Sequence, residues 1–298
     1  MGTATETALV IAPFIRSRAL EDVLEAIPDG VDISVVTRWR PSDLLSGASD
    51  LGVYDVTASR DIALYLRYDL HAKLYVADNA CLIGSANVTE TALGWRDPSN
   101  LELLTPVDRN TSEVRAFEAE LFRVAVRATP AQRDFMQRFV DDLASVVPRQ
   151  SDPEVATDDL AIEQLPSHWI PRSKNPEDLY AAYVGNTDIV GRVRLHDMQV
   201  ELEQFGVPPG LTEPHFNSWI CAAIIQSPVA AGVLRSIDET GGISEIELAA
   251  LLDAVGGARD KSKPAEMLEV LRRWFNYFMS GGYETKQDSI RLIRATKL

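Results

Sequence analysis

Short apolar runs alternate with helical patterns over the first 110 residues, and this alternation limits the folds open to the chain. Residues 8–14 (ALVIAPF) and 32–39 (DISVVTRW) are runs of the buried-strand type. Between them, the apolar residues of 17–27 recur at helical spacing, and Pro41 begins a short predicted helix. Further strands are predicted at 51–58, 70–78, 79–87 and 100–107. Strands alternating with helices predict an α/β fold with a mixed, mostly buried sheet flanked by helices.

The chain is acidic, with 29 Lys and Arg against 44 Asp and Glu among 298 residues, which gives a net charge of −15. The excess lies before residue 226, since 226–298 holds ten residues of each sign. An acidic surface repels polyanions at long range, which counts against a non-specific nucleic-acid coat protein. A nuclease whose positive charge is confined to its site is compatible with this composition.

Several features predict a soluble cytoplasmic protein. The first residues (MGTATETALVIAPF) do not have the basic and apolar regions of a signal peptide. No run approaches the ~18 apolar residues of a membrane span. Cys81 and Cys221 lie in apolar contexts, and buried free thiols are predicted for both, with a disulfide between them as the alternative.

The character of the chain changes after residue 110. Helices are predicted to begin at Asn110, with Glu113 in the first turn, and at Thr129-Pro130. The polar, acidic and proline-bearing stretch 148–166 is predicted to be a linker. The predicted domains are therefore 1–147 and 167–298, and residues 167–225 form no recognisable unit.

Residues 227–297 follow the pattern of a winged helix-turn-helix. A first helix is predicted to end at glycines, and Ser244 with Glu247 forms a capping box that begins the second. A third helix is predicted to end at Gly281-Gly282, and two short strands flank a turn at 287–288. Three helices followed by a hairpin predict a mostly helical C-terminal domain that ends in this unit.

The stretch 71–95 (HAKLYVADNACLIGSANVTETALGW) gathers groups suited to an anion. In a strand, residues two apart face the same side, so His71 and Lys73 are predicted to project together. A turn at Gly84 brings Ser85 and Asn87, and a helix is predicted to begin just beyond, in 89–95. An imidazole beside a fixed charge, a hydroxyl and a carboxamide suits a phosphoryl group.

This stretch resembles the HKD signature of the phospholipase D superfamily, which is HxK, four residues, Asp, a short spacer and GSxN. The matching positions are His71, Lys73, Asp78, Gly84, Ser85 and Asn87. The spacer between Asp78 and Gly84 has five residues, one fewer than the common form. The downstream N-x-E element of the family is matched by Asn100-Leu101-Glu102, and the resemblance covers roughly residues 5–110.

The resemblance implies a role for each motif residue. His71 is the expected nucleophile that forms a phosphohistidine, and Lys73 and Asn87 hold phosphate oxygens with help from Ser85. Glu102 orients an imidazole. Asp78 and Gly84 are expected to be structural. The family chemistry implies no metal and no cofactor. Trp95 is either a lid over the site or a core residue.

The family uses two histidines, whereas this chain offers one HxK. The other three histidines, His168, His196 and His215, do not begin an HxK. The expected form is a homodimer that shares one active site across its two-fold axis. Single-copy members resemble nucleases more often than lipases, so the predicted function is a metal-independent DNA endonuclease of the restriction or antiphage-defence type, working with possible defence partner proteins. The alternatives are a lipid or small phosphodiester hydrolase of the superfamily and a non-catalytic DNA-binding regulator.

Basic residues near the C-terminus are candidate DNA contacts, because winged helices can place such residues against phosphates. Solvated charges on an amphipathic helix and a winged helix used for protein contact are the alternatives. The candidates are Lys261, Lys263, Arg272, Arg273, Lys286 and Arg291.

Overall fold

The computed structural model describes residues 1–147, 165–186, 192–256, 264–279, 283–286 and 291–294. Its internal contacts divide the chain into two compact units, Met1–Leu160 and Ala161–Leu298. The predicted linker 148–166 lies almost entirely outside the described residues. The predicted domain boundaries therefore stay a prediction.

The first unit contains a seven-stranded sheet. Its strands are β1 (Thr7–Ile11), β2 (Asp32–Thr37), β3 (Ala63–Leu66), β4 (Leu74–Ala77), β5 (Ala80–Gly84), β6 (Leu104–Asp108) and β7 (Val126–Arg127). Their order is β6-β5-β4-β1-β2-β3-β7. β1, β2 and β3 are parallel to one another, whereas every other neighbouring pair is antiparallel. The prediction of an α/β fold with a mixed sheet is confirmed.

Helices flank this sheet. They are α1 (Ser17–Glu25), α2 (Pro41–Ser46), α3 (Gly52–Ala58), α4 (Ser112–Val124) and α5 (Pro130–Leu143). The N-cap of α4 is Thr111, one residue after the predicted Asn110, and its hydroxyl accepts from the backbone N–H of Val114 at 3.4 Å. It buries Leu121 in a cluster with Ile11, Val36 and Val76 from the sheet. α5 begins as predicted, capped by Thr129.

Several local predictions for the first unit are wrong. Residues 51–58, predicted as a strand, form α3, because burial recurs four residues apart at Val53 and Thr57. The neighbouring place in the sheet belongs to β3, which the sequence analysis did not predict. The helix predicted in 89–95 is a set of turns, closed by a Trp95 N–H to Glu90 carbonyl bond at 2.8 Å and a left-handed Gly94. The strands predicted to begin at residues 70 and 100 begin only at Leu74 and Leu104, and the strand predicted over 79–87 ends at Gly84.

The second unit is mostly helical. After a 3-10 turn at Pro176–Asp178, its elements are α6 (Leu179–Tyr183), α7 (Arg192–Phe205), α8 (Glu213–Ile224), α9 (Pro228–Thr240), β8 (Ile243–Ser244), α10 (Glu245–Ala254), α11 (Pro264–Phe278), β9 (Tyr283–Lys286) and β10 (Arg291–Arg294). β10 lies between β8 and β9 and is antiparallel to both. The predicted Ser244–Glu247 capping box is present. The predicted Gly281-Gly282 stop and the turn at 287–288 lie outside the described residues.

Cys81 and Cys221 are both buried and free, as predicted. Burial raises the pKa of the Cys221 thiol to about 12, so this group stays protonated at neutral pH. Among the described residues, no single helix has the length and apolar character needed to cross a bilayer. α8 and α9 reach that length and composition only when counted together, and they meet at a bend of 82°.

Candidate active site

The motif residues other than Asp78 lie at one end of the first unit's sheet. β4 begins at Leu74, which pairs with Ile83 near the end of β5, and Gly84 pairs with Leu104 at the start of β6. His71 and Lys73 precede β4, Ser85 and Asn87 follow β5, and Glu102 precedes β6. Because β4, β5 and β6 alternate in direction, the start of β4, the end of β5 and the start of β6 lie side by side. All five residues therefore lie at the same edge of the sheet, beside the carboxyl end of β1.

Backbone hydrogen bonds tie the three motif segments together. The Gly84 N–H donates to the Lys73 carbonyl at 3.4 Å, which joins the HxK segment to the GSxN segment. The Ser85 N–H donates to the Leu103 carbonyl at 3.0 Å, and the Leu103 N–H donates to the Ser85 hydroxyl at 3.1 Å. His71 is exposed and Lys73 is half-buried, and neither belongs to a strand.

Gly84 is required where β5 meets β6. A Cβ atom at this position would lie 1.9 Å from the Leu103 carbonyl oxygen, a backbone atom that cannot rotate away. Only a residue without a side chain permits this approach, which brings Ser85 beside Glu102.

Glu102 is held by neighbours from both sides. Its Oε2 accepts from the Ser85 hydroxyl, and its Oε1 accepts from the Asn100 amide nitrogen at 3.2 Å. The two polar side chains of the N-x-E element are therefore hydrogen-bonded to each other. The Tyr75 ring is buried on β4, and this burial is the main cause of the raised pKa of its hydroxyl. The negative charge of Glu102 raises the same pKa further.

Asn87 is buried in a segment fixed on both sides. The Tyr75 hydroxyl donates to the Ala86 carbonyl at 2.7 Å, and the Val88 N–H donates to the Phe14 carbonyl at 3.1 Å. The Asn87 side chain is 6% exposed, and its Oδ1 has no hydrogen-bond partner among the described residues. Leaving a buried polar atom unsatisfied costs about 1–3 kcal/mol, and such atoms concentrate at functional sites.

Asp78 lies away from this edge, at the opposite end of β4. It has a positive φ of 54°. Its carboxylate accepts the backbone N–H groups of Thr5, Glu6 and Thr7 at 2.8, 2.8 and 2.9 Å. The N–H groups of Thr7, Glu6 and Thr5 hold the pKa of this carboxyl well below its usual range. The carboxylate therefore binds the chain that enters β1 and takes no part in the cluster around His71.

A buried ion pair beside the site was missed by the sequence analysis. Arg38 follows β2, and its Nε donates to the Asp43 carboxylate at 2.7 Å, with both side chains 1% exposed. Arg40 is also buried, and burial followed by the charge of Arg38 lowers the pKa of its guanidinium. The only sequence signal is the TRWR segment, in which two arginines continue an apolar strand. That signal does not identify their partners.

Trp95 is 51% exposed, so it is not a core residue. Leu101 and Leu103, on either side of Glu102, are 103% and 74% exposed. Three exposed apolar side chains, those of Trp95, Leu101 and Leu103, therefore lie within nine residues of chain that include the site carboxylate. Among the described residues, no group of three or more His, Cys, Asp or Glu side chains is arranged to hold a metal ion.

The structure describes four of the six candidate DNA contacts. Arg272 and Arg273 lie on α11, and both donate to Glu269, at 2.8 and 2.6 Å from Arg272 and at 3.2 Å from Arg273. Their charges are therefore partly neutralised. Lys286 and Arg291 are register partners in the β9–β10 pair. Lys261 and Lys263 lie outside the described residues.

The fold and the cluster at its edge define a domain with a candidate site for a phosphoryl group. Residues 1–123 match a family model described as the PLD-like domain of cardiolipin synthase. The match supports assignment of this part of the chain to the phospholipase D superfamily and, at that level, suggests phosphodiester hydrolysis. No curated protein matches the chain.

Proposed function

We propose that this protein is a metal-independent phosphodiesterase that cleaves DNA as a homodimer through a covalent phosphohistidine at His71. The observation that carries the proposal is the convergence of the HxK, GSxN and N-x-E segments at one sheet edge, joined by hydrogen bonds from Gly84, Ser85 and Asn100. Each segment supplies a different function that phosphoryl transfer needs.

The proposed chemistry is a double displacement. An imidazole nitrogen of His71 attacks phosphorus, the N–P bond forms, and the P–O bond to the leaving alcohol breaks as a second imidazole donates a proton to that oxygen. Water then attacks phosphorus, the second imidazole takes its proton, and the N–P bond breaks. Lys73 and the Asn87 carboxamide stabilise the charge on the non-bridging oxygens. Ser85, held by Glu102, is placed to assist them.

The second imidazole is proposed to be His71 of the partner subunit. His71 is the single histidine of Met1–Leu160, and the other three occur after residue 160. A two-fold axis close to His71 brings the two rings together without further residues. The exposed side chains of Trp95, Leu101 and Leu103 support this arrangement, because a second copy that covers the site edge would remove such apolar groups from water.

DNA is the proposed substrate, and the C-terminal elements support it. α9, β8, α10, α11, β9 and β10 follow one another in the order of a winged helix, with the three strands in one sheet. We propose that this unit positions the duplex. Arg272 and Arg273 pair with Glu269, which weakens their candidacy for phosphate contact, and Lys286 and Arg291 stay candidates. A role in restriction or antiphage defence is part of the same proposal.

The test is cleavage of DNA in the presence of EDTA. We expect the wild-type protein to cut DNA and to hydrolyse bis(p-nitrophenyl) phosphate, and His71→Ala to lose at least about 1,000-fold in kcat, because the nucleophile is gone. His215→Ala removes a histidine of the second unit and serves as the matched control. Binding of DNA without hydrolysis of either substrate would instead support a non-catalytic regulator.

A lipid phosphodiester is the second candidate substrate. The matched family model is named for cardiolipin synthase, and the exposed leucines beside Glu102 suit contact with an apolar substrate. The discriminating assay offers DNA and phosphatidylglycerol vesicles to the same preparation. Turnover of lipid alone, lost in His71→Ala, supports this candidate against the nuclease.

A further inference from the structure

Behind the candidate site, a buried guanidinium contacts the peptide group that precedes His71. Arg38 donates from Nη1 to the Leu70 carbonyl at 2.9 Å. The same guanidinium donates from Nε and Nη2 to the Asp43 carboxylate, at 2.7 and 3.4 Å, and lies 4.8 Å from the centroid of the Phe14 ring. One planar group thus connects the end of β2, α2 and the segment that leads into His71.

This ion pair is a costly way to obtain stability alone. Arg38 and Asp43 are each 1% exposed. The free energy needed to take two charges out of water offsets most of the free energy gained from their attraction. Well-packed apolar residues of similar volume often give equal or greater stability. An apolar pair, however, does not supply the hydrogen bond that Arg38 donates to the Leu70 carbonyl.

The contact matters because residues 71–73 are outside any strand. β4 begins at Leu74, so strand pairing does not position His71. The Leu70 carbonyl belongs to the peptide unit that contains the His71 nitrogen, and Arg38 holds that unit. The bond from the Gly84 N–H to the Lys73 carbonyl holds the other end of the segment at 3.4 Å. Arg40 adds a similar contact upstream, from Nε to the Tyr68 carbonyl at 2.8 Å.

We propose that Arg38, anchored by Asp43, is a positioning residue for the His71 imidazole. The inference rests on the proposed function, in which this imidazole attacks phosphorus. Arg38 touches no reacting atom, and it acts by fixing the backbone from which His71 projects. A displacement of the nucleophile by about 1 Å costs on the order of 100-fold in rate.

The test compares Arg38→Lys with Arg109→Lys. Arg109 belongs to a similar pair, with Nε 2.8 Å from Glu118, and it donates to the Asp78 carbonyl at 2.8 Å, at the far end of β4. A lysine in either place cannot bond the carboxylate at two points and the carbonyl together. We expect Arg38→Lys to lower kcat on bis(p-nitrophenyl) phosphate by about 100-fold with KM changed less than about twofold. Arg109→Lys is expected to keep kcat within about threefold at a similar loss of Tm.

A second readout does not depend on turnover. The chain has four histidines, so the ring signal of His71 is assigned by its loss in His71→Ala. We expect this NMR signal to shift or split in Arg38→Lys and to stay in place in Arg109→Lys. Should Arg38→Lys not fold, the Arg38→Met, Asp43→Leu double variant removes the same carbonyl donor while filling the same volume.

The outcomes separate the two proposals. A folded Arg38 variant with wild-type kcat and an unmoved His71 signal overturns the positioning role. Failure of the wild-type protein to hydrolyse any phosphodiester overturns the proposed function instead. The comparison of the His71 signals still decides whether Arg38 sets the position of the ring.

Discussion

At the scale of single residues, the clearest constraint on the site is the absence of a side chain at Gly84. The Ser85 N–H reaches the Leu103 carbonyl because β6 passes against the Gly84 backbone. Overpacking a close contact usually costs about 1–3 kcal/mol, since neighbours move to make room. Here the neighbour is backbone, and the atoms that have to move carry the Ser85–Glu102 contact.

We therefore predict that Gly84→Ala loses about 1–3 kcal/mol of unfolding free energy and at least about tenfold in kcat. Urea unfolding and hydrolysis of bis(p-nitrophenyl) phosphate measure the two effects. Gly30→Ala is the matched control, because its φ is +84° and no atom lies within 4 Å of the new Cβ. It is expected to cost about 1–2 kcal/mol in backbone strain and nothing in kcat. Full activity and stability in Gly84→Ala would contradict the geometry described for this turn.

At the scale of elements, sequence periodicity predicted most of the sheet but misassigned short segments. The continuous apolar runs in 8–14 and 32–39 form the buried parallel strands β1 and β2, and both strands were predicted. Residues 51–58 are rich in β-branched and aromatic residues, which favours a strand. They nevertheless form α3, in which the buried residues Val53 and Thr57 lie four apart. β3 (Ala63–Leu66) and β7 (Val126–Arg127) were not predicted, and strands of four and two residues carry little periodic signal. β4 has four residues too, but it was predicted as part of the longer run 70–78.

The site was predictable only in part, for a related reason. His71, Lys73, Ser85, Asn87 and Glu102 stand at motif spacing, and the structure brings their segments together. The supporting contacts depend on tertiary structure. Asp43 reaches Arg38 because α2 folds back after Pro41, and Leu70 lies 32 residues from Arg38 along the chain. No local pattern relates residues that far apart.

α7 carries a buried carboxylate that makes the second unit sensitive to pH. Glu201 is fully buried and accepts from the Trp169 indole at 2.8 Å and from the backbone N–H of Arg172. Burial raises the pKa of this carboxyl from 4.5 to about 7, against the effect of these donors. The folded state therefore holds the proton more tightly than the unfolded chain. The contribution of protonated Glu201 to the free energy of unfolding is complete below pH 4.5 and is lost as the pH rises through 7.

We predict that the unfolding free energy of Glu201→Gln changes less between pH 4.5 and 8 than that of the wild type. The difference expected from the pKa shift is roughly 3 kcal/mol, because one pKa unit corresponds to about 1.4 kcal/mol. Denaturant unfolding at the two pH values measures it. Glu203→Gln, an exposed position on the same helix, is the control and should follow the wild type. Parallel profiles for the wild type and Glu201→Gln would rule out this titration.

At the scale of the whole molecule, the proposed chemistry needs more imidazoles than the first unit contains. Two sources are open: a histidine of the second unit or His71 of the partner subunit. His215 is already bonded through Nδ1 to the Thr212 hydroxyl at 3.0 Å. The exposed apolar side chains of Trp95, Leu101 and Leu103 lie in the segment that carries Glu102, which favours the partner subunit. A shared site also has a kinetic consequence that a site within one chain does not have.

We predict that wild-type activity falls with the square of the wild-type fraction when His71→Ala subunits are mixed in and allowed to exchange. A mixed dimer has a single His71, so one of the two imidazoles of the displacement is missing. At equal amounts, random pairing leaves about a quarter of the dimers intact, against half for independent subunits. Native mass spectrometry of a mixture in which the His71→Ala subunits carry a mass tag shows whether mixed dimers have formed, and His215→Ala is expected to cause no such loss. A linear fall after verified exchange, or a monomer that retains full kcat, would show that each chain supplies its own second imidazole.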